Sequence, residues 1–365
     1  MYSEDFYRIA IQYVEGYGCA TLKKMLRLSG SATNLFTHTD MWKDGLTRRC
    51  KNVPLPTITD AIRRIVDEEM LLMEKHDVRQ CFYLDNQYPF RLKSCSDGPI
   101  SFYYKGTADF NVPHTLAVVG TREATEYGRN VVKKILSELR DSGVMTVSGL
   151  AYGIDTEAHV RSLEYGLKTV AVMGCGLGTI YPYQNQHLAE QIVEQGGAII
   201  SEYGFKTMPD RLNFPKRNRI IAGMADAVVV AETANKGGSM ITAYIAQSYN
   251  KDVFAVPGSV FESHHDGCHE LIRKNVAAIL TSGQELMEMM NWESANKSVQ
   301  TTLFVDLTEA EQQVVDQIRG TGEISIDHLA EALSELSPSK LAGLLLGLEL
   351  KGVVTCKPGK VYTMN

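Results

Sequence analysis

The sequence predicts an α/β protein built on a doubly wound parallel sheet, with helices before the sheet and a small module of helices and a hairpin after it. Three observations predict this. Between Thr115 and Ser259 six apolar runs of strand length (LAVVG, VMTVSG, TVAVMGCG, AIISEY, DAVVVAET and DVFAVPGS) alternate with segments of helical period. The runs are apolar at nearly every position, as strands covered on both faces must be, and that is how strands lie in a parallel sheet. A chain of 365 residues also exceeds one typical domain, so the regions outside the alternation need cores of their own.

In chain order, residues 1–78 read as a helical domain with amphipathic segments around Phe6–Tyr13, Thr21–Leu28 and Ile58–Leu72. Within it, Gly16 and Gly18 form a turn ahead of a helix carrying Lys23, Lys24 and Arg27. Two readings fit this turn. One is a SAM/helix-hairpin-helix-like element whose N–H groups hold a backbone phosphate, and the other is an αα-corner with a solvated basic face. Residues 79–106 are rich in proline and aromatics and read as a connector with a strand-like stretch at Ile100–Tyr104, and residues 107–290 hold the repeated β-α units. The polar, aperiodic stretch 291–302 reads as a linker. In 303–365, Thr308 and Glu311 have capping-box spacing, Ser337-Pro338 opens a Leu-rich helix, and VVTCKPGKVYTM reads as a hairpin, which together predict a winged helix. This module carries nine acidic residues against five basic, and its would-be recognition helix offers only Lys340 beside Leu344, Leu345 and Leu348. A protein-contacting role is therefore favoured over groove reading.

Composition narrows the class. The chain is 44% hydrophobic and 22% charged, an ordinary globular balance. It lacks an apolar run near the ~20 residues that span a bilayer, and MYSEDFYRIA has acids where a leader peptide has bases, so a cytoplasmic protein without a membrane partner is expected. Seven cysteines are scattered without a C-x-x-C pair, which argues against a disulfide framework or zinc module. His264, His265, Cys268 and His269 are metal-ligand types, but adjacent histidines rarely converge on one ion, and no metal or cofactor is expected. The net charge of −6 hides a local excess of +4 over 205–223, where Lys206, Arg211, Lys216, Arg217 and Arg219 face Asp210 alone. A basic patch on an acidic protein points to a localised anionic ligand.

Ligands of open α/β sheets sit beyond the carboxyl ends of the strands, and four motifs fall there. VVGTREATEYG puts Arg122 in a loop, with a planar fork suited to phosphate oxygens. SGLAYGIDTEAH runs from a strand through Gly149, Tyr152 and Gly153 into a helix, aiming helix-start N–H groups at an anion, with Asp155 placed to cap that helix. FPKRNR supplies Phe214, Lys216, Arg217, Asn218 and Arg219, just after Arg211, and NKGGSMITA opens a further helix with Lys236 and Ser239. Cations interleaved with Phe214, Tyr152 and Tyr181 suit single-stranded nucleic acid, with charge for the backbone and ring faces for the bases.

These motifs, in this order from about Tyr88 to Lys274, resemble the DNA processing protein A family (DprA, also called Smf). The carrying pieces are YPFRL with the DGP and YKG that follow, VGTR, SGLAYGIDTEAH, TVAVMGCGLGTIYP, SEY, FPKRNRIIAG, GGSMITA and DVFAVPGS. The resemblance implies an extended Rossmann-like domain that binds single-stranded DNA as a homodimer, protects incoming strands and loads the RecA recombinase in natural transformation, without catalysis. It places the DNA pocket on Arg122, on the loop Gly149–Gly153, and on Arg211, Phe214, Arg217 and Asn218. Two departures stand out. Tyr152 replaces the Arg of many relatives, and GCHELI (267–272) replaces a segment in which relatives usually have Asn. For the dimer, the expected surface is the helix Gly267–Lys274 with the strand Ala277–Leu280, through Leu271, Ile272 and Ile279; the alternative is that these residues fill the monomer core. The rival from another class is a lysine-decarboxylase-like nucleoside monophosphate phosphoribohydrolase. Its signature has a Glu shortly after the glycines, and NKGGSMITA has none.

Overall fold

A computed structural model describes residues 2–43, 55–292, 307–333, 336–351, 353–357 and 361–364, in two compact units, 1–296 and 297–365. The first unit begins with α1 (Glu4–Ala10), started by Ser3, whose hydroxyl accepts from the Phe6 N–H, and continued by a 3-10 turn over Ile11–Tyr13. There follow α2 (Cys19–Ser29), α3 (Ala32–Thr37), α4 (Asp40–Lys43) and α5 (Asp60–His76). Their apolar faces close on Ile9, Met25, Leu26, Leu35, Trp42 and Val66, all buried. Cations expected beside the turn before α2 are engaged within the protein. Lys23 is buried with its ammonium donating to the Cys95 carbonyl at 2.6 Å, and Arg27 donates to the Tyr83 hydroxyl at 2.9 Å. Two of the three cations thus pin α2 to the residues that follow, so the basic face is not wholly solvated.

The stretch expected as a connector is part of the sheet. β1 (Arg79–Phe82), α6 (Phe90–Lys93) and β2 (Ser101–Gly106) come next, with β1 and β2 paired antiparallel. Then the β-α alternation unfolds as β3 (Thr115–Gly120), α7 (Glu126–Glu138), β4 (Met145–Ser148), α8 (Ile154–Glu164), β5 (Thr169–Met173), α9 (Gln186–Glu194) and β6 (Ala198–Ser201). It continues through α10 (Asn213–Met224), β7 (Ala227–Glu232), α11 (Gly238–Ser248), β8 (Asp252–Ala255), α12 (Asp266–Arg273), β9 (Ala278–Ile279) and α13 (Gly283–Met289). The nine-stranded sheet has the order β1-β2-β6-β5-β4-β3-β7-β8-β9, antiparallel at β1-β2-β6 and parallel from β6 to β9. The central strands β3, β4, β5 and β7 are buried on both faces, which is why their sequences do not alternate.

The surface expected for the dimer changes. Leu271 is fully buried in the core of this unit and Ile272 packs half-buried against it, so α12 spends its apolar face inside the monomer; only Ile279, 48% exposed on the edge strand β9, remains at the surface. The linker expected at 291–302 lies outside the described residues except for Asn291 and Trp292, and Trp292 is buried, its ring stacked on His114 with centroids 5.0 Å apart.

The second unit contains α14 (Glu309–Thr321), β10 (Glu323–Ser325), α15 (Ile326–Ala332), α16 (Pro338–Leu350), β11 (Val354–Lys357) and β12 (Val361–Met364). The strands pair in the order β10-β12-β11, the arrangement of a winged helix. α14 starts with the Thr308–Glu311 capping box and α16 with Ser337 and Pro338, as the sequence indicates. The core is aliphatic, with Val314, Ile318, Leu329, Leu341, Leu345 and Leu348 buried together.

Candidate nucleic-acid interface

All four motifs meet in one cleft of about 700 Å³ beyond the C-terminal ends of the parallel strands. The chain winds from β3 outward through β4, β5 and β6 on one side, then crosses to β7 on the other, so the β3/β7 junction is the topological switch point where an α/β sheet opens. Arg122 reaches the cleft from the β3–α7 loop, Phe214, Arg217 and Asn218 from α10, Arg211 from the loop before it, and Gly237, Gly238 and Ser239 from the start of α11.

The rim pairs cation with ring. Arg122 is exposed, its guanidinium 5.6 Å from the Phe214 ring centroid, and Phe214 lies 5.4 Å from Tyr181 at 42°. Tyr152 is 42% exposed, donates its hydroxyl to Gln184, and shares a small adjoining pocket with Tyr181, Pro182 and Phe214. These offset faces suit unpaired bases. α11 begins without a side-chain cap at Gly237, and while the Met240 N–H donates to the Gly237 carbonyl at 3.1 Å, the N–H groups of Gly238 and Ser239 are left for an anion. The Ser239 hydroxyl donates to Thr233 at 2.7 Å, and the Asn218 amide donates to the Gly238 carbonyl at 3.4 Å, tying α10 to α11.

The floor differs from expectation. Asp155 does not cap α8, because Gly153 is the cap residue, with φ +75 and a position where a Cβ would lie 2.3 Å from the Thr121 carbonyl oxygen. Asp155 sits inside the first turn with its carboxylate buried, accepting from the Ala151 N–H at 3.4 Å, and the Ile154 N–H donates to Thr121 at 3.1 Å. The anion nest expected at α8 is therefore filled by the chain's own groups. Arg217 is 4% exposed, and its guanidinium donates to the carbonyls of Gly149 and Val172. A Cβ on Gly149 would lie 2.5 Å from that guanidinium, so the glycine is what lets loop and arginine pack. Arg217 is a strut under the loop more than a hand on its ligand. Burial raises the Asp155 pKa while the Arg217 charge opposes the rise, and burial lowers that of Arg217. His159, wholly buried beside them with Nδ1 2.7 Å from the Thr169 hydroxyl, is pushed down to about 3 by burial and then by the Arg217 charge.

The basic stretch also divides. Arg219 pairs with Glu202 at 2.5 Å and Lys206 pairs with Glu68, both away from this cleft. Lys216 is exposed but lines a second cleft on the opposite face of α10, and Lys236 is exposed outside the cleft lining. Arg122 and Arg211 are thus the cations the cleft presents outward. Charge counting along the sequence could not separate these roles. The helical period could have, since residues 214, 217, 218 and 221 share one face of α10 and 216 and 219 the other.

Fold and cleft together define a mixed α/β protein with a winged-helix tail and a cationic, aromatic ligand site at the switch point of its sheet. Residues 79–291 match the DNA recombination-mediator protein A family and residues 303–360 match the DprA winged helix domain. The chain belongs to the DNA recombination-mediator protein A family, and its role is DNA processing of the DprA type. It is 40% identical over 222 residues to DNA processing protein DprA of Streptococcus pneumoniae, covering 61% of this chain and 78% of that protein. The X-ray structure of the Streptococcus pneumoniae protein superposes with a TM-score of 0.64 at 34% identity, over 79% of this chain and 98% of that one. A structure of DNA processing protein A from Helicobacter pylori, described with its single-stranded DNA binding mode, gives a TM-score of 0.54 at 30% identity over 59% and 97%.

Proposed function

We propose that this protein binds single-stranded DNA in the switch-point cleft and presents it to the RecA recombinase, acting as a cytoplasmic homodimer and without catalysis. The observation that carries the reading is the meeting of Arg122, Arg211, Phe214, Tyr181 and the uncapped start of α11 in one cleft. Arginine forks bind phosphates, rings stack on bases, and the cleft is open enough for a flexible strand. The Helicobacter pylori relative, whose structure is described by its single-stranded DNA binding mode, supports the same ligand. The dimer is supported by the exposed edge strand β9 with Ile279, which an isologous pairing would cover; two clefts on one particle would then gain from effective concentration along a strand. A binding role agrees with the α11 junction, which has no glutamate after its glycines, and incubation with nucleoside monophosphates should release no free base.

Fluorescence anisotropy with a labelled oligothymidylate tests the site. Arg122→Ala should flatten the log–log salt slope by about 0.7, one phosphate contact on a single strand. Phe214→Ala should cost about 1–3 kcal/mol with the slope unchanged, as loss of a stacking face does. Wild-type affinity in both variants at about 0.15 M salt would place the DNA elsewhere.

A further inference from the structure

A second cleft, of about 440 Å³, opens on the other side of α10, between the helical N-terminal part and the sheet. We propose that it is a nucleotide site, taking one base with its phosphate, so that α10 separates two nucleotide-binding clefts.

The walls carry three tyrosines, Tyr13, Tyr17 and Tyr203, whose ring faces suit a planar heterocycle. The volume falls in the range of small-ligand sites. Glu202 and Arg219, paired at 2.5 Å, place an acceptor and donors side by side, the combination that reads the edge of a base. Two lining groups are unspent: the Tyr17 hydroxyl and the Arg219 Nη1 are buried without a hydrogen-bond partner among the described residues. Buried donors are normally satisfied, and an acceptor entering the cleft, with a small turn of either side chain, would satisfy them. With Arg219 neutralised by Glu202, exposed Lys216 leaves the cleft an outward cation suited to a phosphate.

Two sources could supply this ligand: a further nucleotide of the strand held in the first cleft, or a free mononucleotide. Lys216 and Arg219 lie on the helix that gives Phe214 and Arg217 to the first cleft, so a strand crossing α10 would pass from one to the other. That route rests on the strand-binding reading above, whereas the mononucleotide does not.

Photocrosslinking of the full chain separates the cases. The two probes are an oligothymidylate carrying one 5-iododeoxyuridine at successive positions and 5-iododeoxyuridine monophosphate alone, with the labelled residues mapped by peptide mass. Labelling of Tyr13, Tyr17 or Tyr203 by the oligonucleotide, lost in Lys216→Glu, supports the site as part of the strand path. Labelling there by the monophosphate alone supports a separate nucleotide site. Strand labelling at Phe214 or Tyr181 with neither probe reaching the second cleft overturns this inference and leaves the strand reading intact. If the oligonucleotide labels neither cleft, the strand reading fails, and the monophosphate arm alone decides this site. Tyr17→Phe removes the unspent hydroxyl and keeps the ring. It should weaken labelling or affinity about threefold to tenfold while the melting temperature holds or rises. A variant that melts higher and labels like wild type would overturn the role given to that hydroxyl and, with it, the fit of the cleft to a polar base edge.

Discussion

Replacing Arg217 by methionine tests whether the floor of the cleft is a structural strut. The change keeps much of the aliphatic stem but removes two charge-assisted hydrogen bonds to the Gly149 and Val172 carbonyls, and it takes away the positive charge that stabilises the buried Asp155 carboxylate. Removing one partner from a buried charged pair costs about 3–5 kcal/mol. For a domain of roughly this size each kcal/mol moves the midpoint by about 2–4 °C, so the expected drop is on the order of 10 °C. Trp42 and Trp292 are both buried in the first unit, and the chain has no other tryptophan, so fluorescence-detected melting reports on that unit alone. Asp155→Asn on the same background should recover part of the loss, because the amide oxygen can still accept from Ala151 while the uncompensated charge is gone. Folded Arg217→Met protein at low temperature should keep the wild-type salt slope for DNA. A melting point within 1 °C of wild type, with a slope reduced by about 0.7, would refute the strut and make Arg217 a phosphate ligand.

Two other outcomes are expected. His159 is neutral in the folded protein down to about pH 3, whereas an unfolded histidine takes a proton near its ordinary value of about 6.5. The unfolded state therefore binds more protons between those limits, and the stability due to this group is full above pH 6.5 and falls as the pH drops, by about 2 kcal/mol at pH 5. Asp155, with its folded pKa raised, contributes with the opposite sign, so the measurement is the difference in urea midpoint against pH between wild type and His159→Gln; equal slopes from pH 6.5 to pH 5 would disprove the assignment. Deleting 303–365, most of the second compact unit and of net charge −4, should change single-strand affinity less than threefold, under ~1 kcal/mol, and a tenfold loss by anisotropy would put DNA contacts on the winged helix.

What could be read from the sequence follows from where its signals are local. Strand–turn–helix punctuation is local, so the β-α order, the Thr308 capping box and the start of α16 were legible residue by residue. Convergence of the four motifs was legible too, because strand ends on one edge of a parallel sheet must lie together. The antiparallel β1–β2 edge was not, since a strand broken from its partner by a proline-rich turn and α6 shows no period long enough to count. The division of labour among the cations was hidden for another reason: Lys23, Arg27, Lys206, Arg217 and Arg219 find their partners 17 to 138 residues away, at Cys95, Tyr83, Glu68, Gly149 with Val172, and Glu202. Net charge along the chain counts such residues as if they all faced a ligand. Once those partners are assigned, the +4 stretch reduces to Arg211 at the first cleft and Lys216 at the second, on opposite sides of α10. The ligand-facing charge is thus set by which cations the fold leaves unpaired. A variant that frees Arg219 by removing Glu202 would give the second cleft a further unpaired cation beside Lys216.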